Sequence, residues 1–598
     1  MTTSTIAAFT VLIAQFVCHA QTITRVAGGG DSNVLGDGGL ATNGSLAEPT
    51  SVAFDAAGNL YIADYMNNRI RKVDTNGVIT TVAGNGMPDS TGDGSLATKA
   101  AIHLPWGVAV DGAGNIYFSE RINSRVRRVN PLGIINTIAG TGSSGYFGDG
   151  GLARQAQLYN PTGLAVDGAG NLYIADTVNG RIRMVKTDGT IQTVAGKGAP
   201  SALGDGGLAT NASLSSPQGV MVDSSGTIYI AEGNRIRKVT NSTGIITTVA
   251  GGSGAGATGD GGPAINASLQ TPGGVIVDGA GNIYIGDTAN NRVRRVDGTT
   301  GVITTITGGH IGAIGDGGLA INANVGMPIG LALDCSGNLY IADNAHNLVR
   351  KVSSVASSAS PGICAVLNGA SLQSGISPNS WATIKGVGLA PITDNWDKVV
   401  VNGQLPTALD GVSVTIGGKP AYVYYVSANQ INFVVPDVGV GPQQLIVTNG
   451  GVASPPYTVT VSKYSPAFFL WPGGQPVATR QDYSWAVKNG TFSGTSTIPA
   501  KPGDVIILWG TGFGPTIPTA PQGVQIPGDQ TYSTSSPVTV TIDNLSTTVY
   551  GGALTSGSAA LFQIAIQVPM SLADGDWPIQ TGIGGVQTSS GGVLSVHH

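Results

Sequence analysis

Charged side chains are scarce in this chain of 598 residues, and the scarcity excludes several classes of protein. Only 11% of the residues are Asp, Glu, Lys or Arg, and the formal net charge is −5. Without a basic excess there is no electrostatic basis for binding nucleic acid. The hydrophobic fraction of 41% is too high for a disordered polar chain. We therefore expect folded domains and no nucleic-acid partner.

Histidine and cysteine are also rare, with six and three copies. A zinc site needs three or four converging ligands, and the histidines of the first 350 residues (His103, His310 and His346) share no common position within the repeat found there. No Ser/His/Asp set, phosphate loop or dinucleotide motif is readable. The sequence therefore predicts no catalytic residues, no metal ligands and no cofactor, with calcium kept as an alternative below.

Long apolar runs are absent except at the N-terminus. There an apolar run over residues 6–17 precedes Cys18-His19-Ala20, a pattern typical of a signal peptide cleaved after Ala20. The run is too short to span a bilayer, and no other segment is long and apolar enough. These features predict a secreted or periplasmic protein without a membrane span, residues 1–20 being the signal peptide.

Two cysteines remain after cleavage, Cys335 and Cys364. In an oxidising compartment they could form a disulfide. The alternative is a pair of unlinked, partly buried thiols, and the spacing alone does not decide between the two.

Glycine is abundant, with 92 copies, and much of it belongs to an internal repeat. Three markers recur six times in one register, and the first of them, an acid, recurs every 55 or 56 residues. The acids are Asp64, Glu120, Asp176, Glu232, Asp287 and Asp343; the Gly-Asp-Gly aspartates are Asp37, Asp93, Asp149, Asp205, Asp260 and Asp316; the opening prolines are Pro49, Pro105, Pro161, Pro217, Pro272 and Pro328. Such a repeat indicates a β-propeller.

Each unit contains four predicted strands, a to d, which in the first unit cover residues 51–54, 60–63, 69–73 and 78–82. Strand d follows units one to five but is missing after unit six, where a Ser-rich segment takes its place. A matching segment, Ile23-Thr-Arg-Val-Ala-Gly28, lies before the first unit. We predict that it completes blade six, because this closes the ring and removes two open strand edges.

These repeats resemble the NHL family, in its bacterial form with a Gly-Asp-Gly-Gly-(Leu/Pro)-Ala insert before each blade. The resemblance covers residues 23–352 and implies a six-bladed propeller, which we assign to residues 21–352. It implies no single activity, since the family includes binding modules, sensors and a few enzymes, one of them a lyase that uses metal-bound histidine.

A Ser/Pro-rich linker is predicted at residues 353–362, and two similar stretches follow it. Each has a Gly-x-Gly-containing strand, an alternating strand and a strand that ends in Val-Pro, at Pro436 and Pro569. Short alternating strands with Gly/Pro turns predict two immunoglobulin-like β-sandwiches, at 363–465 and 466–598. They resemble IPT/TIG domains and the uncharacterised C-terminal region of many secreted acidobacterial proteins. The predicted fold class is all-β throughout.

Polar residues at fixed positions in each unit predict structural roles. We expect the acid after strand b to hold a loop together with the next Arg, and the Asp after strand a, such as Asp55, to form a turn. The Gly-Asp-Gly aspartate should cap the short turn that follows it, with calcium binding as the alternative. Five units carry the Arg, at Arg69, Arg125, Arg181, Arg235 and Arg292. Leu348 replaces it in unit six, which predicts a less constrained Asp343.

Positions that differ between the units are free to serve a ligand. They cluster in the d–a and b–c connections, which emerge on one face of a propeller, and loops on a rigid scaffold commonly carry binding sites. Exposed aromatic and Arg side chains should contribute most. The predicted rim residues are Tyr65, Trp106, Arg121, Tyr146, Phe147 and Gln218. The alternative is that these side chains only pack against neighbouring loops.

The leading hypothesis is a monomeric, exported binding protein that is not an enzyme. Its propeller rim would recognise a protein or a carbohydrate, with the sandwiches as stalk or adhesion modules. One alternative is a propeller enzyme, a metal-dependent lyase or lactonase-like hydrolase with its site at the channel mouth. Another is a structural component of the cell surface.

Overall fold

The computed structural model describes residues 21–31, 34–198, 203–353, 361–373, 375–454, 456–471, 474–488, 491–492, 497–587 and 592–597. The predicted signal peptide, and the predicted linker apart from residues 353, 361 and 362, lie outside the described residues. Within these ranges the regular structure consists of β-strands and short 3₁₀ turns. The predicted all-β class is therefore confirmed.

Six antiparallel sheets of four strands form the blades of a propeller. In chain order the strands are β1 (Ile23–Gly28); β2 (Pro49–Phe54), β3 (Leu60–Asp64), β4 (Arg69–Val73) and β5 (Ile79–Ala83) in blade one; β6 (Pro105–Val110), β7 (Ile116–Glu120), β8 (Arg125–Val129) and β9 (Ile135–Ala139) in blade two; β10 (Pro161–Val166), β11 (Leu172–Asp176), β12 (Arg181–Val185) and β13 (Ile191–Ala195) in blade three; β14 (Gly219–Val222), β15 (Ile228–Glu232), β16 (Arg235–Val239) and β17 (Ile246–Ala250) in blade four; β18 (Gly274–Val277), β19 (Ile283–Asp287), β20 (Arg292–Val296) and β21 (Ile303–Gly308) in blade five; β22 (Pro328–Leu333), β23 (Leu339–Asp343) and β24 (Leu348–Val352) in blade six.

The N-terminal strand closes the ring. Strand β1 pairs antiparallel with β24, with Ile23 opposite Val352, so that blade six has the order β1-β24-β23-β22. Both of these side chains are fully buried. The Thr22 N–H also donates to the Ser353 hydroxyl at 3.0 Å. The predicted closure is confirmed, and it leaves blade six with the same four strands as the others.

The inner strands pack against each other through glycine. A Cβ atom on Gly107 would lie 2.3 Å from the carbonyl oxygen of Thr162, and one on Gly274 would lie 2.2 Å from that of Ile329. Gly163 and Gly330 make similarly close approaches to the next blade. Larger residues at these positions would push the blades apart, so these glycines set the spacing around the propeller axis.

The insert before each blade covers the blade's outer strand. In blade one Gly38 N–H donates to Ile79 O at 2.8 Å, and Ile79 N–H donates to Gly39 O at 2.9 Å. Because these bonds use backbone groups at the free edge of strand d, they protect an edge that could otherwise pair with another chain. In five of the blades the insert contains a 3₁₀ turn. These turns are Ala41–Asn43, Ala153–Gln155, Ala209–Asn211, Ala264–Asn266 and Ala320–Asn322.

Two further 3₁₀ turns lie in the b–c connections of blades five and six, Thr288–Asn290 and Asn344–His346, and one in the first sandwich, Trp396–Lys398.

The first sandwich contains β25 (Gly362–Asn368), β26 (Trp381–Val387), β27 (Asp394–Asn395), β28 (Ala408–Leu409), β29 (Val412–Ile416), β30 (Lys419–Pro420), β31 (Tyr422–Val426), β32 (Gln430–Val434), β33 (Gly441–Asn449), β34 (Val452–Ala453) and β35 (Tyr457–Val461). Its two sheets have five and six strands.

The second sandwich has sheets of seven and five strands. They contain β36 (Ala467–Phe468), β37 (Ala478–Arg480), β38 (Val505–Thr511), β39 (Thr516–Ile517), β40 (Ser533–Thr534), β41 (Val538–Ile542), β42 (Leu545–Ser546), β43 (Thr548–Leu554), β44 (Phe562–Gln567), β45 (Gly575–Ile583), β46 (Val586–Gln587) and β47 (Gly592–Val596). Buried Phe433 lies in the core of the first sandwich, and Phe513 and Phe562 lie in that of the second.

Aromatic side chains join the two sandwiches. Trp381, Trp396 and Tyr424 pack with ring centroids 5.0 to 5.6 Å apart, and Ala559 and Ala560 of the second sandwich belong to the same cluster. The backbone N–H of Trp381 donates to the Thr511 hydroxyl at 2.9 Å.

Candidate ligand-binding face

A fully buried arginine occupies the centre of strand c in every blade. Arg71 in blade one has no exposed surface, and its guanidinium lies 3.2 Å from Asp64 and 2.9 Å from Asp37. The equivalent residues are Arg127, Arg183, Arg237, Arg294 and Arg350, each paired with the acid after strand b and the Gly-Asp-Gly aspartate of its own blade. The three repeated charges therefore form one network in each blade.

This network corrects two predictions. The arginine that holds the acid is the second one of strand c and not the first: Arg69 donates instead to the carbonyl oxygens of Asn67 and Asn85. Asp343 is also as constrained as the other acids, because Arg350 lies 3.4 Å from it and Gly326 N–H and His346 bind its other oxygen. The second arginine recurs in all six units while the first is missing from unit six, so comparing the units could have identified it.

The prediction that the Gly-Asp-Gly aspartate caps the short turn after it is wrong. The 3₁₀ turns of the inserts have no side-chain cap. Asp37 instead accepts from Arg71 at 2.9 Å and from the Thr81 hydroxyl of strand d at 2.8 Å. The aspartate thus ties the insert to strands c and d. By contrast, the turn role of the Asp after strand a is confirmed, since Asp55 accepts from the N–H groups of Ala57 and Asn59.

The electrostatics of the network follow from burial. Burial raises the pKa of Asp64 above its ordinary value, while hydrogen bonds from Ala47 and Asn67 and the charge of Arg71 oppose the shift. The pKa values of Glu120, Asp176, Asp287 and Asp343 are raised with burial as the largest cause. Shifted acids in a cleft can mark a catalytic site, but these are sealed inside the blades and serve the scaffold.

The d–a and b–c connections share one face, as predicted. Met66 N–H of the b–c connection donates to Ala47 O of the d–a connection at 3.1 Å, and Val178 N–H donates to Tyr159 O at 3.2 Å in blade three. We call this surface the rim face. The a–b and c–d turns lie at the opposite ends of the strands and form the turn face.

Three of the predicted rim residues form a cluster across blades one and two. The rings of Tyr65 and Trp106 meet edge to face with centroids 5.4 Å apart. The Arg121 guanidinium lies over the Trp106 ring, 4.5 Å from its centroid. All three side chains are partly exposed. We call this set the Trp106 cluster.

The Arg121 side chain keeps unused hydrogen-bonding capacity. Among the described residues its Nε atom has no hydrogen-bond partner, although it is buried. A guanidinium stacked on an aromatic ring is attracted by the ring quadrupole. The cluster therefore combines two partly exposed aromatic rings with a cation.

Large apolar side chains extend the rim face beside this cluster. Met66, Ile122 and Val178 occupy equivalent places in the b–c connections of blades one, two and three, and are 52%, 50% and 51% exposed. The corresponding residues in blades five and six are Ala289 and Ala345. The b–c connections of blades one to three thus carry larger apolar side chains than those of blades five and six.

Tyr146 and Phe147 lie in the connection that leads into blade three. The Tyr146 hydroxyl donates to Asp149 at 2.9 Å, and the Arg181 guanidinium stacks 3.5 Å from the Tyr146 ring centroid. Phe147 is 68% exposed. Tyr146 therefore supports the insert of its own blade, whereas Phe147 is free to contact a partner.

Gln218 lies at the inner mouth of blade four and is partly exposed. Its backbone N–H donates to Ala231 O, and its carbonyl oxygen accepts from the Thr162 hydroxyl at 2.9 Å. Its backbone is therefore fixed by the neighbouring strands. The structure gives no contact between Gln218 and the Trp106 cluster.

The sandwiches cover part of the turn face. A cavity of about 330 Å³ lies between the a–b turns of blades one and two, which contribute Asp55 and Asp111, and residues of both sandwiches, including Gln373 and Phe468. The rim face points away from this junction. Among the described residues, the turn face meets the sandwiches, whereas the rim face carries exposed side chains such as Met66 and Phe147.

Cys335 lies in the a–b turn of blade six, Cys364 lies in β25, and the structure has both as free thiols. Within the described ranges, no three His, Cys, Asp or Glu side chains form a group suited to holding a metal ion. His103 contacts Asn123, and His346 bonds Asp343. The described part of the chain contains no helix long and apolar enough to cross a membrane.

The fold and the residues repeated in every blade define the class of protein. It is a six-bladed propeller of NHL repeats followed by immunoglobulin-like sandwiches, the first of them of IPT/TIG type. Residues 21–91, 141–203 and 198–258 match the family described as the Teneurin NHL domain, and residues 374–462 match the IPT/TIG domain.

The chain is similar to the teneurins over its propeller. It is 32% identical to human Teneurin-1 over an alignment of 236 residues that covers 35% of this chain and 8% of that protein. It is 33% identical to mouse Teneurin-4 over an alignment of 280 residues that covers 40% of this chain and 10% of that protein. The chain therefore spans a tenth or less of the length of these relatives.

Among solved structures, the chain is similar to an auxiliary nutrient binding protein from Bacteroides ovatus, with 16% identity and a TM-score of 0.42 over 56% of this chain and 76% of that one. It is also similar to virginiamycin B lyase from Staphylococcus aureus, with 17% identity and a TM-score of 0.32 over 51% and 80%. Neither likeness assigns an activity to this chain.

Proposed function

We propose that this protein is an exported binding protein whose rim face recognises a protein or carbohydrate ligand through the Trp106 cluster. The single observation that carries the proposal is the Trp106 cluster itself: two aromatic rings and a guanidinium, partly exposed, at the open mouth of a rigid ring. Tyr, Trp and Arg are the side chains that contribute most at binding hot spots.

The scaffold supports this assignment because it holds the cluster in place. Trp106 belongs to inner strand β6, and its carbonyl oxygen accepts from the buried Thr50 hydroxyl at 2.7 Å. Tyr65 and Arg121 directly follow strands β3 and β7. Side chains fixed in this way lose little conformational entropy when a ligand binds.

The surroundings of the cluster indicate the ligand's footprint. Met66, Ile122 and Val178 extend the apolar surface over blades one to three, and Phe147 adds an exposed ring at its outer side. We therefore place the ligand over this half of the rim face. The sandwiches, on the turn face, would hold the propeller away from whatever they are attached to.

Screening the full chain against glycan and peptide arrays would identify the ligand and decide between the two classes. For a ligand found in this way, the Trp106→Ala variant should bind at least tenfold more weakly, because truncating a hot-spot Trp costs about 2 kcal/mol or more. Isothermal titration calorimetry measures the affinity, and hydrogen exchange confirms that blade two remains folded.

Tyr550→Ala provides the matched control. Tyr550 is 58% exposed on β43 of the second sandwich, so its loss should leave the affinity unchanged. Equal losses in the two variants, or a Trp106→Ala protein that is folded and binds normally, would refute the proposed site.

A further inference from the structure

We propose that the groove between blades two and three binds a small organic anion, that is, a molecule with an apolar body and a carboxylate, sulfate or phosphate head group. The groove opens at the turn-face end of the strands, and the inference is independent of what the rim face binds. It starts from three cations that line one cavity.

The cavity has a volume of about 450 Å³, and every residue that lines it belongs to the propeller. Its walls include Ile138 of β9, Leu152 of the blade-three insert and Val185 of β12. Small-molecule sites in proteins commonly have volumes of about 300–1,000 Å³ and largely apolar walls with a few polar groups. The cavity is therefore suited to the apolar body of a small molecule. We call it the Arg128 cavity.

Three cationic side chains line the Arg128 cavity, one from each of three elements. Arg128 lies in β8, Arg154 lies in the 3₁₀ turn of the insert, and Lys186 directly follows β12. Arg128 is half-buried, and the other two are exposed. Because a cleft lined by charges of one sign concentrates ions of the opposite sign, these side chains favour an anion. A guanidinium also matches the oxygens of a carboxylate or phosphate.

The neighbouring acids already have other partners. Asp111, which lines the cavity from blade two, accepts four hydrogen bonds, two of them from Asn115. Asp188 of the blade-three c–d turn accepts from the N–H and the hydroxyl of Thr190. Among the ion pairs of the described residues, none includes any of the three cations of the cavity. Their charge is therefore available to a ligand.

Arg128 differs from its equivalent in blade five. Arg295 forms an ion pair with Asp297 at 3.2 Å, whereas the residue that corresponds to Asp297 in blade two is the uncharged Asn130. The Nε atom of Arg128 is buried and, within the described part of the chain, has no hydrogen-bond partner. A half-buried guanidinium without a carboxylate is a position that an anionic ligand would complete.

The other five junctions between blades show that the three cations are not part of the repeat. At each of those junctions the equivalent positions hold at most one Lys or Arg. The sets are Lys72, Thr98 and Asn130; Met184, Thr210 and Thr240; Lys238, Ile265 and Asp297; Arg295, Ile321 and Ser353; and Lys351, Thr42 and Asp74. The blade fold therefore does not require these cations.

The first test compares two dyes that share an apolar body. Anilinonaphthalene sulfonate carries an anionic head group, and N-phenylnaphthylamine is its uncharged counterpart. Fluorescence titration of the full chain should show that the sulfonate binds about tenfold more tightly, since charge-assisted hydrogen bonds are the stronger ones. Equal affinities for the two dyes would overturn the proposal.

The second test removes the cations and keeps the fold. Arg128→Met installs the residue of blade three, and Arg154→Thr/Lys186→Thr installs those of blade four. Each variant should bind the sulfonate about tenfold more weakly, and its affinity for the uncharged dye should stay the same. Hydrogen exchange of β8 and β12 shows that the variants are folded. A folded variant with unchanged sulfonate affinity would contradict the site.

Matched controls remove the same charges elsewhere on the propeller. Arg295→Met is the control for Arg128→Met. Lys99→Thr/Lys197→Thr, which removes two exposed lysines, is the control for the double variant. Both should bind the sulfonate as the unmodified chain does. Losses equal to those of the cavity variants would show that the dye responds to overall charge, and the proposal would fail.

Competition identifies the head group. Phenylacetate, phenyl phosphate and phenyl sulfate share a ring and differ in the anion, and benzyl alcohol is the uncharged reference. We expect at least one of the anions to displace the dye from the unmodified chain at a lower concentration than benzyl alcohol, and the most effective one names the head group. Benzyl alcohol that displaces the dye as well as all three anions would refute an anion site.

Discussion

The propeller and the sandwiches are both built from antiparallel strands, yet they use charge in opposite ways. The largest fully buried side chains of the propeller include six arginines, one in each blade, whereas those of the sandwiches are Phe433, Phe513 and Phe562. The ion pairs among the described sandwich residues are partly or largely exposed, such as Lys488 with Asp576. A chain with few charges therefore places many of them where they are least solvated.

The difference shows what each architecture needs to specify. A sandwich strand finds its register because one face is apolar and a slip by one residue would expose it. A blade must also position an insert over its outer strand, and apolar packing does not define that placement. The buried arginine defines the placement of the insert. It binds the Gly-Asp-Gly aspartate of the insert and the acid at the end of strand b.

The largest effect should come from deleting residues 21–30, which removes β1. Blade six would lose its outer strand and the ring would open, so we expect the propeller to unfold or aggregate while the sandwiches keep their hydrogen-exchange protection. Arg25→Ala, an exposed change on the same strand, is the control and should have little effect. A truncated protein that stays monomeric with unchanged protection in β22 to β24 would contradict the role of closure.

The next largest effect should distinguish the two arginines of strand c. Arg71→Ala leaves Asp64 as a buried carboxylate without its cation, which should lower the free energy of unfolding by about 3–5 kcal/mol. Arg69→Ala removes hydrogen bonds to two backbone carbonyls and should cost about 1 kcal/mol. Urea unfolding measures both. Equal losses would mean that the buried network is not what stabilises the blade.

Apolar packing should contribute equally in the two regions. Ile62 in the propeller and Ile431 in the first sandwich have no exposed surface, and truncating either to Val should cost about 1 kcal/mol. The measurement is thermal unfolding of each variant followed by hydrogen exchange of the affected region. A much larger loss in one region would show that the contrast extends beyond charge.

The smallest effect concerns pH. Burial raises the pKa of Asp149, but hydrogen bonds from Thr193 and Tyr146 and the charge of Arg183 outweigh it, so the pKa lies below its ordinary value. The ionised group therefore stabilises the fold above its unfolded pKa of about 3.9, and the contribution is lost as the pH falls through the folded value. Asp149→Asn should cost less than about 1 kcal/mol at pH 7, since the carboxylate is partly exposed.

The same comparison at low pH checks the sign. The difference in unfolding free energy between Asp149→Asn and the unmodified protein should shrink towards zero as the pH falls below the folded pKa. A penalty that grows with acidity would show that the carboxylate opposes folding.

The repeat predicted the blade number, the closing strand and the shared face of the variable loops, because each depends only on spacing and strand order. The polar partners were predicted less well. Arg69 and Arg71 lie two residues apart on strand c, so strand alternation alone does not show which of them is buried, whereas the recurrence of the second arginine in all six units could have shown it. The contact between Trp106 and Arg121 and the separate position of Phe147 depend on loop geometry, which residue identity does not determine.

Closure by β1 also sets the order in which the molecule can form. Ile23 pairs with Val352, so β1 must wait for β24 to be synthesised before blade six can form. Such distant pairing slows folding. Until β1 pairs with β24, blade six lacks its outer strand and the ring stays open. The final step in making this propeller is therefore the joining of its beginning to its end.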